Sequence, residues 1–159
     1  MSNKRLIMAG KRIILLPGDV RFAQAPDQLC TLLGSCLAIT AWHPQRQLGG
    51  MCHFLLPQAH RPSAPDGRYG SDAFKLLCQL MQQHASAPDQ YHYQIYGGSQ
   101  ILQPNSKESS IGSRNIKAAK QLLLNASLNI EYEDTGGGYS RKVILDLSTG
   151  KIGVKRFLR

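Results

Sequence analysis

A cysteine and a histidine lie close enough along the chain to serve as a nucleophile and its base. Cys36 follows Gly34 and Ser35, two small residues that allow a sharp backbone turn and an exposed sulfur, and His53 comes shortly after. A thiol with a pKa near 8.5 is mostly protonated at neutral pH, and an adjacent imidazole can accept its proton. Such a pair could attack an amide carbonyl, with the backbone N–H groups of Ser35 and Cys36 stabilising the oxyanion.

The surrounding segment predicts a β-hairpin that places both side chains on one face. Apolar residues run through 36–56 on either side of a polar turn at 43–47. With the turn centred in that stretch, His53 lies opposite Ala38, and Cys36 shares their face. A one-residue slip, caused by a bulge at the glycine pair of the returning strand, would place the sulfur and the imidazole on opposite faces.

The third candidate for the site is Thr31, the nearest hydroxyl that could orient the histidine. An ordinary strand threonine, bonded only to nearby backbone, explains this residue equally well.

A zinc site and a papain-like protease site fit the sequence less well. Cys30, Cys36, Cys52 and His53 could supply zinc ligands, but their spacing is irregular and lacks a C-x-x-C pair. Cys52 precedes His53 directly, so it should point to the opposite face and belong to the core. The Gly-Ser-Cys sequence also occurs in papain-like proteases, but there an aromatic residue follows the cysteine and the histidine lies far downstream.

Composition is typical of one globular domain over 1–159, with a loose segment at 1–10. The chain has 159 residues, 42% of them apolar, and four cysteines without a secretory leader, which we expect to be reduced. No apolar run is long enough for a membrane span, so we expect a cytoplasmic protein that is not membrane-embedded. The net charge of +9 suggests an anionic partner, but the pattern of aromatic and basic residues typical of nucleic-acid binding is missing.

The order of predicted elements indicates an α+β fold, with a mixed, mainly antiparallel sheet and two principal helices packed on it. Ser71 and Ser113 are the expected N-caps of the helices. Strands are predicted at 12–16, 28–33, 36–42, 48–56, 91–96, 128–133, 142–147 and 152–157, and helices at 71–84 and 113–126.

Several ordered segments resemble the CheD family of chemoreceptor glutamine deamidases. They carry the residues around the cysteine and the histidine, an Arg-Tyr pair, three further glycine-containing segments and an I-G-x-R-N-like segment. The matching segments are 33–38, 49–57, 68–69, 95–98, 111–115, 134–137 with Arg141, and 149–151. Together they extend over nearly the whole chain.

The resemblance implies that Cys36 is the nucleophile, His53 the base and Thr31 the third catalytic residue. Cys30 occupies the position at which the family's catalytic threonine is expected, and Thr31 follows it. Since adjacent strand residues face opposite ways, this offset leaves the assignment of Thr31 open.

The resemblance also implies the reaction, the partners and a fold like the catalytic domain of the cytotoxic necrotizing factors. Receptor glutamines would be hydrolysed to glutamate with release of ammonia, without a cofactor or metal. The substrates would be the cytoplasmic domains of methyl-accepting chemotaxis receptors, and CheC would be a further partner. Two alternatives remain. One is a catalytically silent docking module, which slow reaction of the thiol with iodoacetamide would favour. The other is a receptor methyl esterase.

Overall fold

The computed structural model describes residues 9–60, 63–100 and 110–158. Most of the predicted loose segment 1–10 lies outside these residues. The described chain forms nine strands, two α-helices and a short 3₁₀ turn at Pro88–Gln90. The elements are β1 (Arg12–Leu15), β2 (Val20–Gln24), β3 (Gln28–Leu33), β4 (Leu37–His43), β5 (Leu48–Phe54), α1 (Gly70–Gln83), β6 (His92–Gly97), α2 (Ile111–Asn125), β7 (Ile130–Thr135), β8 (Tyr139–Asp146) and β9 (Ile152–Leu158).

The strands form two sheets rather than the single sheet expected. One has the order β1-β3-β8-β9 and the other β2-β5-β4-β6-β7. Only β1–β3 and β6–β7 pair in parallel among the described strands, so the α+β class with mainly antiparallel pairing is confirmed. The chain leaves the first sheet after Leu33 and enters the second at Leu37, which makes 34–36 a turn between sheets.

Two layers of apolar side chains hold these sheets and helices together. Both helices pack on the five-stranded sheet, and Leu37, Ile39 and Phe54 face them in one buried cluster. Ala38 and Met51 point the other way, into a second cluster between the two sheets. Because successive strand residues face opposite sides, β4 and β5 are buried on both faces.

The central hairpin has the predicted register. β4 pairs with β5 continuously from Leu37 opposite Phe54 to His43 opposite Leu48, and Ala38 lies opposite His53. The glycine pair takes part in this regular pairing, so the register slip considered above is wrong. β4 begins one residue after the predicted start at Cys36.

Both predicted helix caps are wrong. α1 begins at Gly70 with Tyr69 as its N-cap, not Ser71. α2 is capped by Ser110, whose side chain accepts a hydrogen bond from the N–H of Ser113 at 3.1 Å. Ser113 is therefore the donor in this cap, because a cap residue accepts from an N–H two or three positions further along.

Strand β2 is missing from the sequence prediction. It is a short edge strand directly after the turn at 17–19, and none of its residues is fully buried. Its pairing partner β5 lies far along the chain, so a weak local pattern was the only signal for it.

Candidate active site

Cys36 ends the turn between the two sheets. Its side chain is half-buried and packs against the cluster between the sheets, the same cluster that contains Ala38. The sulfur therefore lies on the face of β4 that looks toward β3, as the sequence predicts, and not on the face covered by the helices.

This turn is held by hydrogen bonds to each of its carbonyl groups. The carbonyls of residues 34–36 accept, in order, from the N–H of Ser99 at 3.0 Å, Nδ2 of Asn115 at 3.1 Å and the N–H of Gly98 at 2.8 Å. Gly97 has a φ of +111°, and a Cβ there would lie 2.3 Å from the oxygen of Cys36. Only glycine allows this approach.

The backbone N–H groups of Ser35 and Cys36 are available as oxyanion donors. Among the hydrogen bonds of the described residues, neither group donates to another residue. Two consecutive N–H groups that donate to no other residue, next to a cysteine, are an arrangement that could stabilise a tetrahedral oxyanion.

His53 connects the two sheets. Its backbone pairs with the residues before β2, since its oxygen accepts from Gly18 at 2.8 Å and its N–H donates to Asp19 at 3.1 Å. Its buried imidazole reaches Thr31 on β3 of the other sheet, with Nδ1 2.7 Å from Oγ1. The structure thus brings two of the three candidate side chains into direct contact.

The hydrogen bonds of Thr31 determine the tautomer of the histidine. The Thr31 hydroxyl donates its single hydrogen to the carbonyl oxygen of Leu15 at 2.9 Å, because a carbonyl can only accept. Oγ1 must then accept from Nδ1–H of His53, which leaves Nε2 unprotonated in the neutral ring. Nε2 is buried, and it has no hydrogen-bond partner in the described ranges.

Burial keeps both reactive groups neutral at rest. It lowers the pKa of His53 to about 4, although the nearby charge of Asp19 acts in the opposite direction. Burial also raises the pKa of the Cys36 thiol. The resting pair is therefore a thiol and a neutral imidazole, not a thiolate and an imidazolium.

Cys36 and His53 share a face but are not hydrogen-bonded. Within 9–60, 63–100 and 110–158, no bond joins the Cys36 sulfur to Nε2 of His53. Such catalytic bonds are often long in free enzymes and shorten when substrate binds.

Comparison with known proteins identifies the family. The model of the family described as "CheD chemotactic sensory transduction" matches residues 55–156, more than half of the chain. The chain belongs to the CheD family.

Curated relatives extend the similarity to the segment that contains Cys36 and His53. "Probable chemoreceptor glutamine deamidase CheD 3" of Dechloromonas aromatica is 38% identical over 143 residues, covering 88% of this chain and 84% of the relative. A "Probable chemoreceptor glutamine deamidase CheD" of Pseudomonas syringae pv. tomato is 40% identical, with 90% and 88% covered. One of Methanococcus vannielii is 31% identical, with 87% and 91% covered.

Asn115 and Asp19 are site residues of this CheD-family chain that sequence reasoning did not assign. Asn115 bonds the cysteine turn, and Asp19 lies beside His53. One signal for Asn115 was present, because it shares a helical face with Gly112 and Ala119, and a polar residue on an inward face needs a partner.

A buried arginine supports the glycine that touches Cys36. The guanidinium of Arg141 on β8 lies 3.2 Å from a carboxylate oxygen of Asp134, 3.4 Å from the oxygen of Gly97 and 2.6 Å from that of Gly136. Because Asp134 belongs to the other sheet, this ion pair joins the sheets beside the site.

The zinc alternative is not supported by the positions of its ligands. Cys52 faces the helices, whereas His53 faces the other sheet. In the described part of this CheD-family chain, no group of three or more cysteine, histidine or acidic side chains could hold a metal ion.

Neither described helix is long and apolar enough to cross a membrane.

Proposed function

We propose that this protein is a cysteine-dependent deamidase that hydrolyses glutamine side chains of methyl-accepting chemotaxis receptors to glutamate, with release of ammonia. Support comes from the names of its relatives, which are chemoreceptor glutamine deamidases. The observation that carries the mechanism is the contact of Thr31 with Nδ1 of His53, since it leaves Nε2 as a free base on the face of Cys36.

In the first half-reaction, Nε2 of His53 takes the proton of the Cys36 thiol as the sulfur attacks the glutamine amide carbon. The carbonyl oxygen gains a negative charge, which the N–H groups of Ser35 and Cys36 stabilise. The imidazolium then donates its proton to the departing nitrogen, and ammonia leaves behind a thioester.

In the second half-reaction, the neutral imidazole of His53 activates a water molecule. The water attacks the thioester carbon, and its proton moves to Nε2. Collapse of the intermediate breaks the carbon–sulfur bond, returns the proton to Cys36 and releases glutamate. Throughout, Thr31 keeps Nδ1 protonated and the ring oriented.

A docking module with a silent site is the main alternative, and alkylation rate does not separate it from a deamidase. Because burial raises the pKa of Cys36, slow reaction with iodoacetamide is expected of an active enzyme as well. A base of fixed tautomer on the same face as the cysteine favours the enzyme. Binding of CheC, hydrolysis of receptor methyl esters and a cytoplasmic location stay predictions.

The test is mass spectrometry of a receptor cytoplasmic fragment after incubation with the protein. Conversion of an amide to a carboxylate adds about 1 Da at specific glutamines. We expect this gain with the untreated protein and not with protein fully alkylated at its cysteines. Binding of the fragment without any mass gain would favour the docking module instead.

Replacing Thr31 by valine should lower kcat roughly 10- to 100-fold, less than loss of the base itself, because the imidazole remains but its orientation and tautomer are no longer held. Valine keeps the shape but offers Nδ1–H no acceptor, so the productive tautomer is no longer selected. Thr31→Ser retains the hydroxyl and is the control, expected within about threefold of wild type. Equal rates for the valine and serine variants would contradict a role for the hydroxyl.

A further inference from the structure

One buried side chain ties the turn that carries Cys36 to the strand that carries His53. Asn115 on α2 is fully buried, and its Nδ2 lies 3.1 Å from the oxygen of Ser35 and 2.8 Å from that of Leu55. Both partners are carbonyl oxygens, which only accept. The nitrogen of the amide must therefore face them, and both its hydrogens are engaged.

These two bonds are made where the hairpin ladder stops. The last paired residues of β4 and β5 are Leu37 and Phe54. Ser35 and Leu55 lie beyond that pair, so strand pairing no longer fixes their separation. Asn115 bridges the two chains at this open end.

Holding a carbonyl also aims the N–H on the other side of the same peptide bond. The C=O of Ser35 and the N–H of Cys36 belong to one planar trans unit and point in opposite directions. Asn115 thus sets the direction of the Cys36 N–H. In the preceding unit, the N–H of Ser99 holds the carbonyl of Gly34 and so orients the Ser35 N–H.

The position of Asn115 is unfavourable on packing grounds alone. Its Oδ1 is buried, and it has no hydrogen-bond partner among the described residues, which destabilises the folded state. One turn earlier, a Cβ on Gly112 would lie 2.4 Å from the oxygens of Gly98 and Ser99. The missing side chain there lets α2 approach the turn closely enough for the amide to reach it.

We infer that Asn115 is a positioning residue for the oxyanion site, which it serves by holding the Ser35–Cys36 peptide so that the Cys36 N–H faces the substrate oxygen. This inference rests on the proposed deamidase function. An oxyanion donor acts on charge that develops only in the transition state, so its misplacement should lower kcat with little change in KM.

The test compares Asn115→Ala with Leu123→Ala, since each variant truncates a fully buried side chain of α2. Deamidation of a receptor fragment is measured well below the melting temperature of each variant, together with alkylation of Cys36 by iodoacetamide. We expect kcat of Asn115→Ala to fall roughly 10- to 100-fold, less than for outright loss of a donor, because the N–H itself remains. KM should stay within about threefold.

Two controls separate this role from a purely structural one. Leu123→Ala should keep kcat within about threefold of wild type once folded, because Leu123 lies in the apolar cluster between the helices and the five-stranded sheet. Alkylation of Cys36 should proceed at the wild-type rate in both variants, since displacement of iodide develops no oxyanion.

Three results would overturn the inference. They are an unchanged kcat in Asn115→Ala, a loss of kcat in Leu123→Ala as large as that in Asn115→Ala, and a rise in the KM of Asn115→Ala without a fall in its kcat. If Asn115→Ala does not fold, Asn115→Leu fills the volume without donors and carries the same expectations. A wild-type protein that converts no receptor glutamine would overturn the proposed function and this inference together. Conversion by the wild type with a fully active Asn115→Ala would overturn the inference alone.

Discussion

Replacing Cys36 by alanine should reduce receptor deamidation to the uncatalysed background, a loss of at least about 10⁴-fold, because it removes the sulfur that forms the thioester. The measurement is the mass gain of receptor peptides over time. Since the half-buried sulfur lies at the surface of the cluster between the sheets, the substitution removes little core volume. The variant should fold and still bind the receptor fragment.

Cys78→Ala is the matched control for that experiment. Cys78 is also a half-buried free thiol whose pKa is raised by burial. It lies on α1, however, and packs against the apolar cluster between the helices and the five-stranded sheet. We expect wild-type turnover from this variant. Receptor conversion that survives in Cys36→Ala would rule out the assigned nucleophile, whereas equal losses in both variants would indicate a general effect of cysteine removal on the fold.

Replacing His53 by glutamine should lower kcat by roughly 10²- to 10⁴-fold, the usual contribution of a positioned general base. Glutamine retains polar atoms in the pocket but cannot accept the thiol proton. Because the pKa of His53 is lowered to about 4, the acid limb of kcat/KM against pH should lie well below the ordinary histidine value. If kcat/KM still falls on the acid side near pH 6.5 in His53→Gln, the group that titrates there is not His53.

The same substitution should change how stability depends on pH. The pKa of His53 is about 4 in the folded protein and 6.5 in its ordinary state, so the unfolded chain binds a proton first as the pH falls. The stabilising contribution is present in full above pH 6.5 and is lost progressively toward pH 4, for a total of about 3 kcal/mol. Urea unfolding at pH 7.5 and pH 4.5 should show this loss in the wild type and a smaller one in His53→Gln.

The parts of the fold that depend on neighbouring residues could be predicted from the sequence. The apolar runs on either side of the polar turn at 43–47 predict the hairpin, and the position of that turn sets its register. The order of strands and helices likewise indicates the α+β class. The helix starts were missed by a few residues. α1 begins without a side-chain cap at Tyr69, and at α2 the sequence offers both Ser110 and Ser113 as caps.

For the site, the sequence predicted Cys36 and His53 as the reactive pair, and this assignment stays a prediction. Gly-Ser-Cys just before one strand and a histidine on the partner strand are local features, and the hairpin register places both side chains on one face. The offset of Thr31 could not be resolved in this way. Its side chain lies on the same face of β3 as Leu29 and Leu33, which is the face that packs on the other sheet. That packing joins parts of the chain that are far apart in sequence.

Only the tertiary structure decided the tautomer and pKa of His53 and the hydrogen-bond partners of Asn115. The tautomer of His53 depends on a carbonyl of β1 that occupies the Thr31 hydrogen, and its low pKa depends on burial between two sheets. The bonds of Asn115 join a helix to two separate segments. A sequence specifies residue types and short-range periodicity directly, whereas hydrogen-bond partners and desolvation arise only when segments far apart in the chain pack together.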